Sequence, residues 1–264
     1  MKKSSMKIVI AAIVAVSVLE IFFASELKAT EWGNTVYEIL VRAIGIAAFL
    51  EFIFKLGYQR LFRFRNSLKP SAIIFLAVSL LVAINNFPFA AVLSGSASLR
   101  WDWGKVLSYA LICIFVGAFE EISFRGFLFP LLFERMKKTK LGVFLAILFS
   151  SLIFGAIHFV NIFAGADPVA VLLQIGYAAL IGGLTSVVLL KTRNLWYCII
   201  LHSLYNFNGG LVDRIGSGEM WIPSQIALTA TVAVLVAAYV IWQFCKLTDE
   251  EIGAFLKREK ETIC

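Results

Sequence analysis

Charge is what this sequence has least of. Only 16% of its 264 residues are Asp, Glu, Lys or Arg, where a soluble domain carries about a quarter. Hydrophobic residues make up 60%, so a water-soluble globular fold is excluded and a membrane protein is implied. Cysteine is equally sparse. Cys113, Cys198, Cys245 and Cys264 have no paired spacing and the first three lie in apolar runs, which leaves no disulfide framework and no zinc signature. The last cysteine is the final residue, so the C-terminal E-T-I-C is not a prenylation box. H-E-x-x-H is absent, which excludes a zincin helix, and no serine or cysteine stands in a motif with a matching histidine. The net charge of +7 would suit nucleic acid. Its placement along the chain assigns it to one face of a membrane, so no nucleic-acid partner is expected.

What is present is a succession of long apolar runs. Three lysines precede an apolar stretch from Ile8 to Ser25, read as a first span. The second covers Val36 to Phe54, with Glu38/Arg42 and Glu51/Lys55 at the four-residue spacing of helical ion pairs. The third runs from Pro70 to about Leu93 and is interrupted at Asn85-Asn86-Phe87-Pro88, read as a kink. The fourth begins near Val106. The remaining four run from Leu141 to Phe163, Pro168 to Leu190, Leu195 to Leu211 and Trp221 to Cys245. Eight spans place both termini on one side. Of the 24 basic residues, 19 then fall in segments on that side, four on the other and Arg42 within a span. That asymmetry makes the termini cytosolic. All six tryptophans fall at span ends, as an aromatic belt requires. The expected architecture is a single all-α integral-membrane domain over 1–264. It comprises N-terminal spans in 1–105, a core of spans four to seven in 106–211, span eight in 221–245 and a cytosolic tail in 246–264.

The fourth run contains two adjacent acids, Glu120 and Glu121, followed by Arg125. Intramembrane carboxylates are costly and therefore point to function. The chain's only two histidines, His158 and His202, also lie inside apolar spans. Phe154 lies four residues before His158 and Asn206 four residues after His202, which places each pair on one helix face. Two carboxylates, two imidazoles and an amide in a nearly dry cavity fit peptide-bond hydrolysis. A carboxylate in apolar surroundings becomes a stronger base toward water, and imidazole and amide N–H groups can meet an oxyanion.

The order E-E-I-S-F-R, F-G-A-I-H, H-S-L-Y-N resembles the E-E-x-x-x-R, F-x-x-x-H and H-x-x-x-N/D motifs of the CPBP family. This family comprises type II CAAX prenyl proteases and bacteriocin-processing enzymes, also called Abi proteins or intramembrane glutamic endopeptidases. The resemblance covers about Val106 to Phe207. It implies that Glu120 activates water with His158 helping to position it, and that His202 and Asn206 form the oxyanion hole. It also implies that Arg125 pairs with Glu121 to orient the site, alongside Phe154. It further implies a peptide or lipidated-peptide substrate and no metal or other cofactor, with zinc the minority alternative. Gly182-Gly183 reads as a point of close helix packing.

Two other function classes stay open on the residues alone: a proton- or ion-coupled transporter, since buried acids and histidines also build relays, and a non-enzymatic scaffold or bacteriocin-immunity protein. Oligomeric state and substrate identity are not written in the sequence. One spacing is awkward. His158 lies roughly 25 Å along its helix from Leu141, its cytosolic start, whereas Glu120 would lie only a turn or two from the cytosolic end of its own span if that span stopped near Phe124. The expectation is therefore a fourth helix that continues to about Phe129, a fifth that begins earlier, and a cavity open to the cytosol.

Overall fold

The computed structural model describes residues 31–64, 67–136 and 139–255; the expected first span and the final residues lie outside them. The protein is an α-helical membrane protein. Its helices are α1 (Glu31–Lys55), α2 (Pro70–Asn85), α3 (Phe89–Leu93), α4 (Trp103–Glu121), α5 (Phe129–Arg135), α6 (Lys140–Ile157), α7 (Pro168–Thr192), α8 (Leu195–Gly209), α9 (Leu211–Ile215), α10 (Pro223–Cys245) and α11 (Asp249–Phe255). Four helical stretches among the described residues are long and apolar enough to cross a bilayer: Trp103–Arg135, Lys140–Ile162, Pro168–Thr192 and Pro223–Cys245. Helices also stand at expected spans two, three and seven, but α1 carries five charged residues, and α2 and α8 have 16 and 15 residues. The chain is not wholly helical. β1 (Ala97–Leu99) pairs antiparallel with β2 (Gly216–Gly218), Ser98 opposite Ser217, and ties the two loops at one end together.

Local sequence explains the helix ends. Asp102 Oδ1 accepts from Gly104 N at 2.9 Å to start α4, and Asp167 Oδ2 accepts from Ala170 N at 2.8 Å to start α7 behind Pro168. Asn194 Oδ1 accepts from Trp196 N at 2.8 Å to start α8. The Asn-Asn-Phe-Pro interruption ends α2 at Asn85, and Asn86 Nδ2 donates to the Tyr205 carbonyl at 2.8 Å, bracing α8.

The fourth span is longer than expected. α4 passes through a π-helical segment, Ile122–Leu128, directly into α5, so the helical stretch has 33 residues. That is about 50 Å of helix against a hydrocarbon core of about 30 Å. Glu120 therefore sits near its middle, which resolves the awkward spacing. α6 begins at Lys140, only one residue before Leu141, so the expected earlier start of the fifth helix amounts to a single residue.

Two close helix crossings set the core. A Cβ on Gly117 would stand 2.9 Å from the Ser203 backbone nitrogen, so α4 meets α8 backbone to backbone. A Cβ on Gly155 would stand 2.6 Å from the Ile175 carbonyl oxygen, so α6 meets α7 the same way. α10, by contrast, is largely unburied and presents Val234, Leu235 and Ile241 outward, as a lipid-facing helix does.

Candidate active site

Glu120 and His158 each follow one of the crossing glycines by three residues, and His202 precedes Ser203 by one. The crossings therefore carry these polar groups to a common space. A cavity of about 230 Å³ is lined by Glu120, Phe154, His158, His202 and Asn206 together. The remaining sequence-identified residues, Glu121 and Arg125, lie directly behind it and are fully buried.

The two acids differ sharply. The Glu120 side chain is 18% exposed and reaches the cavity; that of Glu121 is 0% exposed. Successive helical residues point about 100° apart, so one faces the cavity while the other faces α7 and α8. Glu121 Oε1 lies 2.7 Å from His202 Nδ1 and 3.3 Å from an Arg125 terminal nitrogen, and accepts from Thr185 Oγ1 at 3.4 Å. The other ring nitrogen, His202 Nε2, lies 3.2 Å from Glu120 Oε2. His202 thus stands between the two carboxylates, and a single proton between Nε2 and Oε2 makes that contact attractive.

Phe154 is the packing centre of the site. The Arg125 guanidinium lies 4.4 Å from its ring centroid, and the His158 and His202 rings meet it edge-on at 5.4 and 5.7 Å. Arg125 makes no well-aligned hydrogen bond and is held by the Glu121 charge and by this ring face. Its guanidinium also fills the space beside Gly182, where a Cβ would come within 2.6 Å of it. Gly182 thus makes room for an arginine rather than for a helix backbone. Gly183, its neighbour, faces open space.

Several lining residues escaped sequence reading. Glu38 and Arg42, 3.4 Å apart, read as a structural pair yet line the cavity. Tyr109, whose hydroxyl donates to the Asn206 carbonyl at 2.7 Å, Tyr177 and Tyr205 line it too. Aromatics in apolar spans carry no signal that separates a cavity wall from a lipid face. Thr185, three residues beyond Gly182, was equally silent.

The sequence led to a cavity open to the cytosol; what the structure shows is that its lining lies away from the end that carries the basic loops. Glu38 and Arg42 lie in the first half of α1, Tyr109 to Val116 early in the long fourth stretch, Gln174 to Ile181 in the first half of α7, and His158 beyond the end of α6. The cavity therefore opens toward the β1–β2 end, because the extended fourth helix places Glu120 mid-bundle and α6 carries His158 to its far end.

Among the described residues no group of three or more His, Cys, Asp or Glu side chains is placed to hold a metal ion. Comparison with protein families matches residues 101–208 to the family described as Type II CAAX prenyl endopeptidase Rce1-like. No curated protein and no solved structure matches the chain.

Proposed function

We propose that this chain, whose residues 101–208 carry the endopeptidase match, hydrolyses a peptide bond within the membrane by a glutamate-activated water. The observation that carries this reading is the row Arg125–Glu121–His202–Glu120, which fixes one carboxylate to the fold and presents the next to the cavity. Glu120 takes a proton from water, and the oxygen attacks the carbonyl carbon of the scissile bond. The C–N bond then breaks, and the proton passes from Glu120 to the departing amine. Glu121 keeps a proton on His202 Nδ1 and so fixes the ring's orientation. As Glu120 turns to water, His202 Nε2–H and the Asn206 amide meet the oxyanion. His158, half-buried across the cavity, holds the water. The reading includes eight spans in a cell membrane with both termini cytosolic, supported by the helices found at spans two to eight. The substrate is a membrane-associated, lipidated or leader-type peptide.

The test compares membrane peptides of cells carrying wild type and Glu120→Gln. A precursor that accumulates uncut only with the variant supports the reading. No accumulating precursor, with both proteins present at equal level, sinks it in favour of a scaffold. Chelator sensitivity of the purified protein would instead favour the zinc variant of the same hydrolysis.

A further inference from the structure

The two ends of the bundle are chemically unlike. At one, Trp196 Nε1 donates to the Phe62 carbonyl, Lys140 Nζ to the Cys245 carbonyl, and Lys69 faces Glu251. At the other, β1 pairs with β2, and Ala90 N donates to Gln225 Oε1. Basic residues crowd the first end: Lys55, Arg60, Arg63 and Lys69 between α1 and α2, Arg135 and Lys140 between α5 and α6, Lys191 and Arg193 before α8, and Lys246 after α10. The β-ribbon end has Arg100, Lys105 and Arg214, so, with Arg42 and Arg125 inside helices set aside, the described basic residues divide nine to three. Basic loops stay in the cytosol. The cavity opens at the other end.

Two further cavities continue it in the same direction. One shares Tyr109, Ile112 and Arg214 with it and reaches Asn34 and Lys105 at the start of α4. The other, of about 280 Å³, shares Tyr177, Tyr205 and Asn206 with it and reaches Asp213, Trp221 and Gln225. Both arms end among residues flanking the β-ribbon; neither includes a basic residue of the crowded end. An extended chain lying from one arm to the other would pass the Glu120–His202 pair.

We infer that the site takes its polypeptide from the face of the membrane opposite the cytosol. Its substrate class is then an exported peptide or the outer segment of a membrane protein, entering between the β-ribbon and the start of α10. This rests on the endopeptidase reading for the chemistry, but the direction of access stands on charge and cavity position alone.

Single cysteines test it in the full chain, in a Cys245→Ser, Cys264→Ser background that leaves buried Cys113 and Cys198 in place. A membrane-impermeant maleimide should label Ser217→Cys and Arg214→Cys in intact cells, and Lys140→Cys only after permeabilisation. Labelling of Lys140→Cys in intact cells overturns the inference, as does protection of both ribbon-end cysteines until permeabilisation. A C-terminal fluorescent protein that folds only in the cytosol gives a reading free of cysteines. Fluorescence supports the inference, and a dark full-length fusion in the membrane overturns it. A precursor accumulating with Glu120→Gln should be degraded by protease added to intact cells, and a protected one overturns the inference. Labelling does not depend on catalysis, so a chain that labels as expected yet cleaves nothing would sink the endopeptidase reading and leave the orientation standing.

Discussion

Substituting Glu121 by glutamine separates what the fold needs from what the chemistry needs. Its Oε1 is the shared partner of His202 Nδ1, Arg125 and Thr185, and both Glu121 and Arg125 are wholly buried. An amide keeps the shape but removes the charge facing the guanidinium. Removing one partner of a buried pair costs about 3–5 kcal/mol, because the other charge stays buried and uncompensated. With roughly 2–4 °C per kcal/mol for a chain of about this size, Glu121→Gln should lower the melting temperature in detergent by roughly 6–20 °C. Glu120→Gln disturbs a single contact, at 3.2 Å, on a partly exposed side chain, and should melt within about 2 °C of wild type, as surface changes do. The double change Glu121→Leu with Arg125→Met removes both charges from the interior. It should recover most of the lost stability, since buried pairs replaced by apolar groups of similar volume cost little, while remaining inactive. A Glu121→Gln protein that melts with wild type would refute the argument, as would a double variant less stable than the single one.

Further outcomes follow from the same geometry. Gly155→Ala sets a Cβ against the Ile175 carbonyl at 2.6 Å, forcing α6 from α7. It should reduce cleavage at least tenfold, a factor that needs only about 1.4 kcal/mol of lost transition-state stabilisation, with the protein still extracted as a folded species by size-exclusion chromatography. Gly183→Ala, facing open space in the same assay, should match wild type. Phe154→Ala removes the ring under Arg125 and beside both histidines, and should cost about 3–5 kcal/mol of stability, read by thermal melting. Tyr109→Phe deletes the donor to the Asn206 carbonyl and should cost about 1 kcal/mol, with a larger fall in kcat than in substrate affinity if Asn206 is thereby misplaced.

Much of this site was legible because membranes make polarity expensive. Glu120, Glu121, His158 and His202 stood out against apolar runs, and the structure brings all four to one cavity or its wall. The helix boundaries of the later spans were legible for a related reason, since Asp167-Pro168 and Asn194 are start signals whose chemistry is local. What was not legible depended on which side of a helix faces what. Glu38 and Arg42 satisfy each other at i,i+4 whether they face lipid headgroups or a cavity, and tyrosines suit either. The fourth helix was expected to reach about Phe129 and runs on to Arg135; the π-helical segment within it, made wholly of buried residues, left no mark because its composition is that of an α-helix. The end of the bundle toward which the cavity lies was not legible either. The expected continuation of the fourth helix past Phe124 is found, but charge asymmetry along the chain says nothing by itself about where a cavity lies.

The adjacency of the two acids is the feature on which the rest depends. Were they separated by a full turn, both would face the same side, and a cavity able to admit water to one would admit it to the other. Arg125 would then face a solvated carboxylate, and its pairing would be worth about as little as a surface pair. Neighbouring positions instead give one carboxylate to a dry interior, where Arg125, Thr185 and His202 converge on it, and the other to the cavity. His202 touches both, so the buried acid fixes the ring and the ring fixes the exposed acid. In the fully paired row, with one proton between His202 and Glu120, the charges of Arg125, Glu121, His202 and Glu120 cancel. An interior that pays heavily for an isolated ion tolerates such a set. That balance lets a partly exposed carboxylate sit near the middle of the long fourth helical stretch.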